Sequence, residues 1–214
     1  MRLLHLIDDR APGPGCVHLA MLSDGLGRLP DIEATVALIG GDRLRQAASA
    51  VGIQPDLTLS APFGGGPFAW PALRHHLRRL GGPDRYDLVH AWTPSALKLA
   101  ATLLPDTPRL LTVSRLVDDH SARRLRAIID GSRGRTHVLA GSNTVRRSLC
   151  SRGVPEDAVD VLRPGLDFGR VQAGRRDDLR EAWNIGPDHR VVAVLGDDPA
   201  RTHAMPAMLV GGIH

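Results

Sequence analysis

Short apolar runs alternate with longer amphipathic segments along this chain, and that alternation restricts its possible folds more than any other feature. Leu3–Ile7, Ile32–Ile39, Asp56–Leu59, Asp87–Ala91, Arg109–Val113, Thr136–Ala140, Val159–Leu162 and Arg190–Leu195 read as strands. Between them lie segments with helical spacing: Val17–Leu29, Arg43–Val51, Pro71–Leu80, Pro94–Leu104, Ser121–Ile129, a helix opened by Ser142 or Asn143 that reaches Ser151, and Asp177–Trp183. Stops and caps sit where such helices need them. Gly52 and Gly153 follow two helices, Thr93 is placed to cap a third, and Pro71 is acceptable in a first turn. Strand–helix alternation predicts an α/β fold with a mostly parallel sheet and helices on both faces. Strands of Val, Leu and Ile fit burial from both sides.

The chain has 214 residues, enough for one sizeable core and part of another. Residues 1–163 read as the first domain, 164–189 as a linker with a short helix, and 190–214 as the start of a second domain whose remainder is expected to be missing. A lone βα unit cannot bury its own apolar face. Aromatic residues make up only 3%, so the core has to be built from aliphatic side chains. The net charge of +4 is spread as Arg along the whole chain, and the pattern carries no nucleic-acid signature. Two cysteines far apart exclude a disulfide framework or a Cys-based metal site. His75-His76 lacks a second ligand pair at metal-binding spacing, so no metal is expected. No apolar run approaches membrane-spanning length, and the opening residues do not form a signal peptide, so a cytoplasmic location is expected.

Several groups of residues have the types that chemistry needs. Gly13 and Gly15 follow the first strand, where glycines let backbone approach a ligand and a helix start favours anionic groups. The competing reading is a plain strand–helix turn. His90 closes the strand of Asp87-Leu88-Val89-His90-Ala91, on the edge where ligands bind; a lone His is equally at home buried against backbone. Ala140-Gly141-Ser142-Asn143 and Arg163-Pro164-Gly165-Leu166-Asp167 place small residues and caps at strand ends, with helix capping as the ordinary alternative for Ser142. The arginines at 123, 124, 126, 146, 147, 175 and 176 read as solvated helix faces. No GxSxG elbow is present.

These fragments line up, in order, with one family. The chain resembles the retaining GT-B glycosyltransferases of the family 4 type. Leu3–Ile7 with Gly13 and Gly15 resembles their first strand and glycine loop. Asp87-Leu88-Val89-His90-Ala91-Trp92 resembles "D-[IV]-V-H-x-H", and Leu110-Leu111-Thr112-Val113-Ser114 resembles "V-x-T-x-H". Ser142 through Leu149 matches "S-x-x-x-x-x-x-L", and Gly153 through Asp167 resembles "G-x-P-x-x-K-[IV]-x-V-I-x-N-G-[IV]-D". The resemblance implies a Rossmann-like, acceptor-side N-terminal domain. It would work on a sugar acceptor and a nucleotide-sugar co-substrate, with no further cofactor and no nucleic-acid partner, opposite a C-terminal domain not encoded here. It implies catalytic roles for Ser114 and His90 and a substrate or donor cleft at Gly13, Gly15, Ser142, Asp167 and Gly196. The chain departs from the pattern in places. Trp92 and Ser114 stand where the family often has His, Asp197 follows Gly196 where an Arg would hold the diphosphate, and Arg201-Thr202-His203-Ala204 lacks a Lys-Gly pair. An Asp there would repel a diphosphate. The alternative reading is therefore a non-catalytic remnant or an acceptor- or subunit-binding domain. An NAD-dependent Rossmann enzyme would need a full glycine fingerprint and an acidic residue ending the second strand, where Gly40-Gly41 stand instead.

Overall fold

The computed structural model describes residues 1–8, 14–59, 75, 86–165, 177–186 and 188. The chain divides into two compact units, Met1–Gly165 and Leu166–His214. The first contains strands β1 (Arg2–Asp8), β2 (Glu33–Ile39), β3 (Leu57–Leu59), β4 (Leu88–Ala91), β5 (Arg109–Val113), β6 (Thr136–Ala140) and β7 (Val159–Val161). Its helices are α1 (Pro14–Leu26), α2 (Asp42–Ala50), α3 (Pro94–Leu103), α4 (Asp119–Gly131) and α5 (Asn143–Ser151). In the second unit, α6 spans Asp177–Ala182, and Arg180 donates to the Gly186 carbonyl at 2.8 Å.

The strands form one seven-stranded sheet in the order β3-β2-β1-β4-β5-β6-β7, and every pairing is parallel. This is the expected α/β, Rossmann-like architecture. Side chains along β1, β2 and β4 alternate between two covered faces, whereas β5, β6 and β7 are buried on one face and more open on the other. On one face of the sheet, Leu4, Leu6, Val89, Ala91, Leu111, Val113, Val138 and Ala140 pack with Leu97 and Leu99 of α3, Leu125 and Ile129 of α4, and Val145 and Leu149 of α5. On the other, Ile7, Val36 and Leu38 pack with Cys16 and Leu19 of α1 and Leu44 and Ala48 of α2. Fully burying one such aliphatic side chain contributes about 1.5–3 kcal/mol.

Local signals set the helix starts. Thr93 Oγ1 accepts from Ala96 N at 3.1 Å, with Pro94 in the first turn of α3. Asp118 caps α4 by accepting from Ser121 N at 2.6 Å, so this helix begins before the expected Ser121. Ser142 caps α5. Helix α1 begins at Pro14 rather than Val17 because proline tolerates the first helical turn, where its missing N–H has no intrahelical partner anyway. It stops at Leu26, ahead of Gly27. The expected helix at Pro71–Leu80 and strand at Arg190–Leu195 lie outside the described residues, apart from His75, which is helical and exposed.

Candidate functional site

The strand order marks where a ligand would sit. From β1 the chain moves to β2 and β3 on one side, then returns to β4 on the other, so β1 and β4 flank the point where the order reverses. Open parallel sheets bind ligands just outside the carboxyl ends of such strands. At that edge β1 ends in Asp8, whose side chain is fully buried and accepts a short hydrogen bond from Ser95 Oγ. Ser95 stands in the first turn of α3, with Thr93 Oγ1 3.4 Å from its hydroxyl. Asp8, Thr93 and Ser95 thus form one polar group at the start of α3, where the helix dipole favours negative charge.

Beneath the edge, on the face covered by α1, lies a second group. His5 of β1 is in register with His90 of β4. Their ring centroids are 5.2 Å apart, and the Trp92 ring lies 4.5 Å from His90. Trp92 Nε1 donates a long bond to His5 Nδ1 at 3.4 Å. His90 Nε2 lies 2.7 Å from Thr112 Oγ1 on β5. Burial favours the neutral ring in both histidines. It holds His90 down at about 4, and burial together with the neighbouring His90 holds His5 at about 3. Because indole only donates, His5 Nδ1 is the acceptor and the proton sits on Nε2, a buried atom with no hydrogen-bond partner.

Of the residues singled out from sequence, His90, Ser114 and Ser142 come from three neighbouring strands of one edge. Ser114 lies one residue beyond β5 and is exposed. A Cβ added at Gly141 would come within 3.3 Å of the Ser114 Cα, so the turn after β6 presses directly against Ser114. Gly141 N donates to the Val113 carbonyl at 2.9 Å. Ser142 Oγ accepts from Val145 N at 3.2 Å, which is a helix cap. His90 sits below the edge, 5% exposed, its ring turned towards Thr112. Gly15 is the second residue of α1 and is buried. Gly13, Asp167 and Gly196 lie outside the described residues.

The Asp87–His90 motif splits between the two edges of the sheet. Asp87 is at the amino edge, where Arg2 N donates to its carboxylate at 2.6 Å, and chiefly that bond lowers its pKa. Sequence reasoning missed His5, Asp8, Ser95 and Thr112. For His5 and Asp8 the available signal was polar residues within a strand whose other residues after Arg2 are apolar and buried; Ser95 and Thr112 carried no such signal. Among the described residues, no cluster of three or more His, Cys, Asp or Glu side chains is placed to hold a metal ion. No described helix is long and apolar enough to cross a membrane.

Comparison with known proteins follows the same lines. No curated protein matches the chain. Among solved structures, the chain is similar to Anabaena Alr3699/HepE in complex with UDP-glucose (TM-score 0.67, 17% identity, 92% of this chain and 55% of that one). It is also similar to a glycosyltransferase from Rickettsia africae (TM-score 0.58, 16% identity, 90% and 54%). A third similar structure is the UDP-GlcNAc 2-epimerase of Neisseria meningitidis bound to UDP-GlcNAc (TM-score 0.59, 16% identity, 88% and 55%). The chain thus spans about half the length of each, and at these identities the likeness shows the fold alone. The family model Glycosyltransferase Family 4 matches residues 17–170. That match covers well over half of the chain and takes in α1 from Val17 onward and β2 through β7, and so the chain belongs to Glycosyltransferase Family 4.

Proposed function

We propose that this chain is the N-terminal, acceptor-side half of a retaining GT-B glycosyltransferase, and that a C-terminal donor-binding domain completes its cleft. In this reading the reaction moves a sugar from a nucleotide sugar to an acceptor hydroxyl at the carboxyl edge of the sheet. The observation that carries it is the placement of Asp8, Ser95, Ser114 and the Gly141–Ser142 turn along that edge, with His90 below it, beside the reversal of strand order. Family membership adds the class of reaction. The UDP-sugars bound in similar structures favour a UDP-linked donor.

The residues present suit holding and orienting. Buried Asp8 and half-buried Ser95 offer an acceptor and a hydroxyl to sugar oxygens, and the starts of α3 and α5 favour the partial negative charge of hydroxyl oxygens. Ser114 is exposed at the rim, where it can contact the acceptor. Gly13 and Gly15 would let backbone approach a ligand at the mouth of β1, and Asp167 and Gly196 would belong to the donor side. Rate enhancement would come from orientation and from electrostatic stabilisation of the leaving diphosphate, with the nucleotide sugar as co-substrate and no further cofactor. A cytoplasmic location and the absence of a nucleic-acid partner belong to the same proposal.

The test is a thermal-shift panel of UDP- and GDP-sugars and of hydroxyl-bearing glycosides on the purified chain. Acceptor glycosides are expected to raise the midpoint, and Ser114→Trp, which fills the rim, is expected to abolish the rise. No response to any acceptor or donor would overturn the reading. Should transfer be observed, NMR of the product's anomeric centre would test retention.

A further inference from the structure

The carboxylate that ends β1 sets the direction of the hydrogen bonds at the start of α3. A carboxylate only accepts, so the bond from Ser95 Oγ to Asp8 commits the one proton of the serine hydroxyl. Asp8 is wholly buried and Ser95 is half-buried, so the serine is the member of the pair that a ligand can reach. Thr93 Oγ1 lies 3.4 Å from Ser95 Oγ, and with the serine proton spent on Asp8, only the threonine can donate across that contact. The hydroxyls therefore run one way, from Thr93 to Ser95 to Asp8. Ser95 Oγ keeps lone-pair capacity for a further donor and has no hydrogen to give. The backbone of the same turn has little left for an anion. Pro94 has no N–H, Ala96 N donates to Thr93 Oγ1 at 3.1 Å, and Leu97 N donates to the Thr93 carbonyl at 3.0 Å. Of the amides that open α3, that of Ser95 is left, whereas helix starts that hold phosphate use several together.

We propose that Ser95, oriented by Asp8, is a specificity-determining residue that accepts a hydrogen bond from a free hydroxyl of the sugar acceptor, so that the point of strand reversal takes an unsubstituted hydroxyl and not a phosphate. The proposal rests on the acceptor binding at this edge, as argued above. An ether or phosphate oxygen placed against Ser95 Oγ would set lone pair against lone pair. A site built to pair with a hydroxyl rejects the analogue that lacks it, because its own polar group is then left without a partner. Ser95 makes the contact, and Asp8, buried behind it, is a positioning residue that acts through it.

The test titrates the full chain with an acceptor glycoside that raises its thermal midpoint, and with the monodeoxy and deoxyfluoro analogues of that glycoside. Fluorine fills the place of the hydroxyl oxygen but has no proton to donate. At one ring position both analogues are expected to bind about tenfold more weakly than the hydroxyl compound, the worth of one good hydrogen bond. In Ser95→Ala all three are expected to bind alike at that position. Asp8→Asn carries an amide that can donate to Ser95 Oγ and turn the serine proton outward, so it is expected to raise the fluoro analogue above the deoxy one. Equal weakening of all three in Asp8→Asn would mean that Asp8 only supports the fold. A fluoro analogue that binds the unmodified chain as well as the hydroxyl compound, at the position that depends on Ser95, would overturn the proposal. So would binding that Ser95→Ala leaves unchanged at every position. Should Asp8→Asn fail to fold, the analogue series on the unmodified chain and Ser95→Ala decides the matter. If no glycoside binds the unmodified chain, the function proposed above fails and this proposal falls with it, whereas binding that ignores Ser95 overturns this proposal alone.

Discussion

His5 and His90 make the centre of the sheet sensitive to acid. Both ordinarily titrate near 6.5, and in the folded chain they sit at about 3 and about 4. The unfolded chain therefore binds more protons than the folded one between those values and 6.5. Stability that is full above pH 6.5 is lost as pH falls through this window. The slope approaches at most about 2.7 kcal/mol per pH unit, twice the contribution of one proton. Urea unfolding at a series of pH values is expected to show this decline. His5→Gln keeps an acceptor for Trp92 Nε1 but does not titrate, so it should remove about half of the slope. An unaltered slope would mean that other groups control acid unfolding. At Gly141, a methyl group would sit 3.3 Å from the Ser114 Cα, tighter than ordinary contact, so the backbone there would have to yield by a few tenths of an ångström. Gly141→Ala is expected to destabilise by about 1–3 kcal/mol, as overpacking does, in the same urea assay.

Among the elements, α5 separates a structural role from a chemical one. Ser142 Oγ satisfies Val145 N, so Ser142→Ala should lower stability by about 1 kcal/mol, and Ser142→Asp, which also caps, should keep it. If Ser142 also contacts substrate, Ser142→Asp will fold normally yet lose acceptor-induced stabilisation in the thermal-shift panel. Elements of this kind were legible in the sequence because the strands read as apolar runs, β1, β2 and β4 being buried on both faces and β5 and β6 wholly buried on one and partly on the other. β5 and β6 begin and end where the periodicity places them. The start of α1 was not legible, because Pro14 and Gly15 have the composition of a loop. The histidine cluster was hidden for a different reason. His5 and His90 are far apart in the chain and meet only through the register of β1 with β4. Thr112 joins them through a third strand, and no local pattern encodes that pairing. Ser114 and Ser142 could be singled out because they sit at strand ends, which local punctuation does mark.

At the scale of the molecule, residues Met1–Gly165 contain all seven strands and both packed faces of the sheet. A fragment ending at Gly165 is therefore expected to fold alone and unfold in one cooperative transition, with a melting temperature within a few degrees of that of the longer chain. Differential scanning calorimetry checks this. A fragment with a broad or absent transition would show that Leu166–His214 supplies part of the core.

The sheet also differs between its middle and its margins. Its outermost strands, β3 and β7, are three residues each, against seven for β1 and β2. An edge strand exposes unpaired backbone groups that can recruit a strand from another molecule, and short edges offer little length for that recruitment. On β7 the middle residue, Asp160, is an exposed carboxylate. Among the described residues, strand-by-strand growth into a filament would therefore find two short margins on which to start, one of them carrying a carboxylate, and so little length at the place where the sheet would otherwise continue.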